Sequence, residues 1–189
     1  MSNIPRGDDR RPPIGLSASL DGATAEQRWV VDLIAAGPRG SVPKPFLAML
    51  DVPRLAEAIQ EVGVVLRYSS SLPPSLREIA ILATAAAVPC GYEWNYHAPI
   101  AREAGVPDAV ISATRARVAG GTIDAVAASV IDLCRAVVAT GEARAGELAA
   151  VVDRLGRVAA TEIIAIAGYY RLLAGFIKTA GFDEPLAPA

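Results

Sequence analysis

The chain is poor in reactive side chains. Its 189 residues hold one histidine and two cysteines. Catalytic zinc generally takes three protein ligands, so His97 with Glu93 alone is a thin set for a metal, and no metal is expected. Cys90 and Cys134 stand too far apart in sequence to suggest a disulfide framework, which suits a reducing compartment. Aromatic residues are 5% of the chain, and no useful stretch alternates apolar and polar residues as a half-buried strand would. Basic charge is not gathered anywhere. The arginines are scattered and the net charge is −2, which gives no electrostatic footprint for nucleic acid. The longest apolar run, Ile79 to Pro89, falls short of the roughly 20 residues that span a bilayer. Met1 to Arg11 is polar and charged, with no apolar signal-peptide core. These absences lead to the expectation of a cytoplasmic protein with neither nucleic-acid nor membrane partners.

Apolar side chains are plentiful. Hydrophobic residues make up 52% and charged residues 20% of the chain, enough for a large core in one domain. Alanine and leucine dominate, which favours closely packed helices. Residues 1–22, rich in Pro, Gly, Ser and charge, read as a flexible arm. Residues 23–182 read as a single helical domain, and the proline-rich 183–189 as a loose tail.

Helix signals place the elements. Thr24 reads as the N-cap of a helix over Ala25–Ala36, with Trp29, Val30, Leu33 and Ile34 on one face. A short helix follows around Pro45–Leu50, and Asp51 reads as the cap of Pro53–Tyr68. Pro74–Val88 comes next, and Pro89-Cys90-Gly91 breaks the chain. Tyr92–Ala104 precedes a helix from Pro107-Asp108 to about Ala119, closed by Gly120-Gly121. Thr122 would cap Ile123–Ala139, and Gly141 would end it. Helices near Ala145–Leu155 and Val158–Ala180 complete an all-α fold of about eight helices. Arg77–Ala83 resembles Thr161–Ala167, a faint internal repeat whose shorter copy lacks any counterpart of Cys90–His97.

The scarce reactive groups are concentrated in Cys90-Gly91-Tyr92-Glu93-Trp94-Asn95-Tyr96-His97. Glu93 and His97 lie four apart, on one helix face. A carboxylate beside an imidazole raises its pKa and fixes its tautomer, which suits general acid–base work. The same spacing also describes an ordinary surface pair. Glu78 heads the apolar run Ile79–Ala83. It is either a buried acid in need of a partner or a second-turn acid facing water, helped by the helix dipole. Cys90, at a helix start, has no second cysteine three residues on, because Glu93 stands there. Tyr92, Trp94 and Tyr96 interleave with these groups as pocket, core or interface side chains. Cys134 falls within an apolar helix pattern and reads as a packing residue.

Three segments carry a resemblance: Leu72-Pro73-Pro74-Ser75-Leu76-Arg77-Glu78-Ile79-Ala80-Ile81-Leu82, then Tyr92-Glu93-Trp94 with His97, then Ala101 to Gly105. In these the chain resembles the carboxymuconolactone decarboxylase-like family, which includes the AhpD-like alkylhydroperoxidases. Gly37-Pro38-Arg39-Gly40 with Pro45-Phe46, and Gly168-Tyr169-Tyr170, look like parts of its longer members. The resemblance spans roughly residues 25–182. It implies a helical bundle with a repeated hairpin core, assembled as trimers or hexamers with active sites near subunit contacts. The peroxidase branch pairs two cysteines in Cys-x-x-Cys. Here Cys90 and His97 match that pattern, but Glu93 replaces the second cysteine, and a dithiol cycle needs two thiols. The decarboxylase branch uses no cofactor.

The resulting expectation is a cofactor-free lyase or isomerase-type enzyme acting on a small carboxylated or lactone-like molecule. His97, Glu93 and Glu78 are its catalytic candidates. Cys90, Tyr92, Trp94 and Tyr96 are expected to line the pocket. A single-cysteine peroxidase and a non-catalytic helical assembly module are the alternatives.

Overall fold

The computed structural model describes residues 12–116 and 123–187. Among these residues there are eight helices and no strand. The centre is α4 (Pro74–Ala87), in which residues 78–85 are all buried, Glu78 included. A helix that is buried on every side belongs inside the bundle. Around it pack α5 (Gly91–Glu103), α6 (Asp108–Arg115), α7 (Ala125–Thr140) and α8 (Ala145–Thr179). α1 (Ala25–Ala36) packs on α3 (Pro53–Tyr68), while α2 (Lys44–Ala48) and α3 reach α8. Ile81, Leu82, Ile131, Leu133 and Ile163 fill the core with essentially no exposure. Each such side chain contributes about 1.5–3 kcal/mol by burial.

Local chemistry explains the helix ends. Thr24 and Gln27 form a reciprocal cap: Gln27 N donates to Thr24 Oγ1 at 3.2 Å and Thr24 N to Gln27 Oε1 at 2.8 Å. Such a cap is worth about 1 kcal/mol. Gly141 ends α7 in the left-handed conformation. The cap of α7 is Asp124, whose carboxylate accepts from Val126 N and Ala127 N. The expected cap Thr122 and the closing Gly120-Gly121 lie outside the described residues. Asp51 does not cap α3. Its Oδ2 instead accepts from Gly15 N at 2.7 Å, and Val52 takes the cap position without a side-chain bond.

α8 is one stretch of 35 residues, but Gly156 (φ 83°, ψ 169°) breaks the helical path between the two helices read from the sequence. By length and composition α8 is apolar enough to cross a membrane, unlike any run read from the sequence alone. Its buried face, including Ile163, Ile166, Tyr170, Leu173 and Ile177, packs in the core. Beyond the kink α8 runs parallel to α4. Glu162 binds Ser70 and Ser71 near the start of α4, and Lys178 donates to Val88 O and Pro89 O at its end. The second copy of the faint repeat is therefore an uninterrupted helix, whereas the first turns back at Pro89-Cys90.

Three expectations need correction. The buried face of α1 is Val30, Val31 and Ile34, while Trp29 is 53% exposed and Leu33 lies at the surface. The arm is not loose beyond residue 11: Leu16 is buried, and its N–H donates to Leu47 O at 3.0 Å. The tail is docked through residue 187. Asn95 Nδ2 donates to Glu184 Oε1 and Pro185 O, and Ala187 N donates to Asn95 Oδ1. Side-chain partners on α5, invisible to a compositional reading, hold the tail there.

Candidate active site

The turn Val88-Pro89-Cys90 folds α5 back against α4. Glu78 precedes this turn and His97 follows it, and the two meet in the core. His97 Nδ1 is 2.7 Å from Glu78 Oε2, with both side chains nearly sealed from solvent. Burial raises the Glu78 pKa, but the His97 hydrogen bond and the charges of Arg67 and Arg77 outweigh it, so the net shift is downward. Glu78 is thus a carboxylate, and Nδ1–H is the donor to it. Burial pushes the His97 pKa down. Glu78 opposes that shift, Arg67 and Arg39 add to it, and the net direction is down. A neutral ring with its proton on Nδ1 leaves Nε2 with a lone pair. Tyr170 Oη lies 3.2 Å from Nε2 and donates to it, and Glu93 Oε2 is 3.7 Å away.

Glu93 differs from Glu78. It is buried, and neither carboxyl oxygen makes a hydrogen bond among the described residues; Oε1 is wholly unpartnered. Burial pushes its pKa up to about 7, against the pull of Arg67 and Arg39. Near neutral pH it therefore passes between acid and carboxylate beside a neutral imidazole.

Glu93 and His97 open into a cleft shared with Arg39, Arg67, Phe46, Tyr92, Tyr96, Tyr169 and Tyr170. The cleft contains about 310 Å³ of atom-free space including its open mouth, but its interior void is only about 20 Å³. That void admits a water, so a larger ligand requires the lining side chains to move. Tyr96, 45% exposed and edge-on to His97, stands at the mouth. Among the described residues no group of three His, Cys, Asp or Glu side chains is placed to hold a metal.

The structure brings Glu78, Glu93 and His97 together, with Tyr92 and Tyr96 on the cleft wall. Cys90 and Trp94, expected to line the pocket, are not among its walls. Both lie in packed surroundings instead. Trp94 is buried, with Nε1 donating to Thr114 Oγ1 at 3.3 Å and Arg115 over its ring. Cys90 is buried under the tail, its Sγ 3.6 Å from Asp183 Oδ1. Burial pushes its thiol up to about 12 against a hydrogen bond from the Glu93 backbone, and the Asp183 and Glu93 charges add to the rise, so the helix start does not activate it. Cys134 is fully buried, as a packing cysteine should be.

A family model described as the Carboxymuconolactone decarboxylase family matches residues 53–131. Over this segment, less than half of its length, the chain is similar to the carboxymuconolactone decarboxylase family. No curated protein and no solved structure matches the chain. The family segment runs from the start of α3 into α7 and carries Arg67, Glu78, Glu93 and His97. Arg39, Phe46, Tyr169 and Tyr170 reach the same cleft from outside it.

Sequence reasoning missed the two arginines and Tyr170 as site residues. A local signal existed for one contact. Gly63 sits in the middle of α3, where glycine weakens a helix. A Cβ there would collide with Tyr169 Oη and the Arg39 guanidinium. The glycine makes room for these two groups to meet beside the cleft.

Proposed function

We propose that this protein belongs to the carboxymuconolactone decarboxylase family and is a cofactor-free lyase or isomerase that moves protons on a small carboxylated or lactone-like substrate. The observation that carries this reading is Glu93: a buried carboxyl without a hydrogen bond among the described residues, beside the unprotonated Nε2 of a histidine whose other nitrogen is held by Glu78. His97 Nε2 is the base. It takes a proton from a substrate carbon next to a carbonyl, and the C–H electron pair becomes an enolate. Glu93 in its acid form returns a proton to the substrate skeleton. In a decarboxylation, the pair comes instead from the C–C bond to the leaving CO2, and Glu93 protonates the carbon that keeps it. Glu78 orients the ring and stabilises the positive charge that His97 gains.

General acid–base groups contribute about 10²–10⁴-fold to rate. His97→Ala is expected to lower kcat/KM by that range while far-UV circular dichroism stays unchanged. Cys90→Ser is expected to stay within about twofold of the parent, since the thiol lies outside the cleft. Loss of thiol-dependent peroxide turnover in Cys90→Ser, in a chain that shows such turnover, would favour the peroxidase reading instead. One observation favours a non-catalytic assembly module: the narrowness of the interior void. Failure of every small carboxylate to perturb the His97 ring signals in solution would support it.

A further inference from the structure

Arg39 and Arg67 reach the cleft from the α1–α2 connection and from the last turn of α3. Neither forms an ion pair among the described residues. Both are half-buried and held by aromatic faces. The Arg39 guanidinium lies 4.9 Å from the Phe46 ring centre and 6.0 Å from that of Tyr68. The Arg67 guanidinium lies 5.3 Å from the Tyr68 ring and 5.7 Å from that of Tyr96. The two cations share one ring, Tyr68. Arg39 Nη2 also reaches Gln60 O at 3.5 Å, leaving its buried Nε–H without a partner. The buried Tyr169 hydroxyl beside it can accept from the Arg39 guanidinium, and its own O–H has no acceptor among the described residues.

Two planar cations and two donors without acceptors line the same cleft as the proton-transfer pair. Guanidinium forks match carboxylates in shape, and an unpaired donor in a dry site waits for an acceptor. Building on the proton-transfer reading, we infer that Arg39, Arg67 and Tyr169 form a carboxylate-binding subsite that selects a small dicarboxylate over its monoanionic ester. Arg39 and Tyr169 take one carboxylate and Arg67 takes the other. The carbon between them is then presented to His97. A dianion matches the two guanidinium charges, whereas a monoanion leaves one cation unneutralised beside Glu93.

Glutaconate serves as a probe, because its methylene lies between a carboxylate and a double bond. His97 Nε2 removes a methylene proton, the electron pair spreads into a dienolate, and in heavy water the carbon takes back deuterium. Calorimetry measures binding and proton NMR measures exchange. The expected result is that Arg39→Gln and Arg67→Gln each weaken glutaconate binding about tenfold or more. Monomethyl glutaconate should bind the parent as weakly as glutaconate binds the variants. His97→Asn should bind normally and exchange nothing. Unchanged binding in both arginine variants, with equal melting temperatures, overturns the subsite while leaving proton transfer standing. Equal affinity for the ester, or no binding of glutaconate by the parent, overturns it as well. Arginine-dependent binding together with unaltered exchange in His97→Asn would keep the subsite and refute the proton-transfer reading.

Discussion

Glu78 and Glu93 both sit buried within reach of one imidazole, yet they ionise in opposite directions. Glu78 accepts a 2.7 Å hydrogen bond, which overcomes the burial that would raise its pKa. Glu93 accepts none, so burial prevails and its pKa rises to about 7. Neighbouring groups that ionise apart in this way supply an acid and a base at one pH. Activity needs neutral His97 and protonated Glu93. It should rise with pH as His97 loses its proton, below the ordinary histidine value, and fall around pH 7 as Glu93 loses its own. Glu93→Gln should remove the falling limb of the kcat/KM profile and lower its plateau about 10²-fold or more. The same residue acts on stability. The folded form of Glu93 holds its proton more tightly than the unfolded form, so its contribution is full below the unfolded pKa and fades as pH rises toward 7. Between about pH 4.5 and 7 the parent should lose up to about 3 kcal/mol that Glu93→Gln retains; urea titrations across that range measure the difference. Parallel curves would show that Glu93 is not strained by burial.

At the scale of elements, the site depends on how helices bring distant residues together. The α4–α5 turn makes Glu78, rather than the same-helix Glu93, the direct partner of His97. The four-residue spacing in sequence pointed to Glu93, because helical neighbours are visible in one dimension and partners across a hairpin are not. Caps such as Thr24 and Gly141, and the glycine break before Val158, were legible because their causes are local. Arg39 and Tyr170 were not, because each reaches the cleft from a different element far away in sequence. The exposure of Trp29 was also hidden, since periodicity marks a face without telling what lies against it. Gly63 shows the packing constraint on α3. Gly→Ala within a helix ordinarily gains up to about 1 kcal/mol. Here the added methyl meets Tyr169 and Arg39, and overpacking costs about 1–3 kcal/mol. Gly63→Ala should therefore lower the melting temperature by a few degrees and weaken carboxylate binding. A rise in melting temperature would mean that the Arg39–Tyr169 contact is readily displaced.

Across the whole molecule, the tail closes over the start of α5. Asp183 Oδ1 accepts from Tyr92 N at 3.1 Å and from the Cys90 thiol, and Glu184 O lies where a Cβ on Gly91 would sit. Arg115 Nη1 donates to Ala187 O at 2.6 Å. Truncation after Phe182 should make Cys90 react readily with a thiol reagent that the full chain resists, while Cys134 stays protected in the core. Equal reactivity of the two chains would show that the tail does not shield Cys90. Apolar side chains also remain exposed on the outer side of the bundle, among them Trp29 on α1 and Leu55, Val62 and Val65 on α3. Self-association as a trimer or hexamer, which the family resemblance implies, is proposed to cover them. Sedimentation of the parent and of a Trp29→Glu, Val65→Glu variant tests it. Dissociation of an assembly by the variant is expected, and a monomeric parent would contradict it.

The account turns on the state of His97, and the chain has no other histidine. In an untagged, nitrogen-15-labelled sample, the imidazole signals therefore belong to one ring, and a pH titration reads both its tautomer and its pKa. The expected result is a neutral ring at pH 7 with its proton on Nδ1, titrating below the ordinary value of about 6.5. A ring that is charged at pH 7, or one that carries its proton on Nε2, would contradict the assignment of His97 as the base.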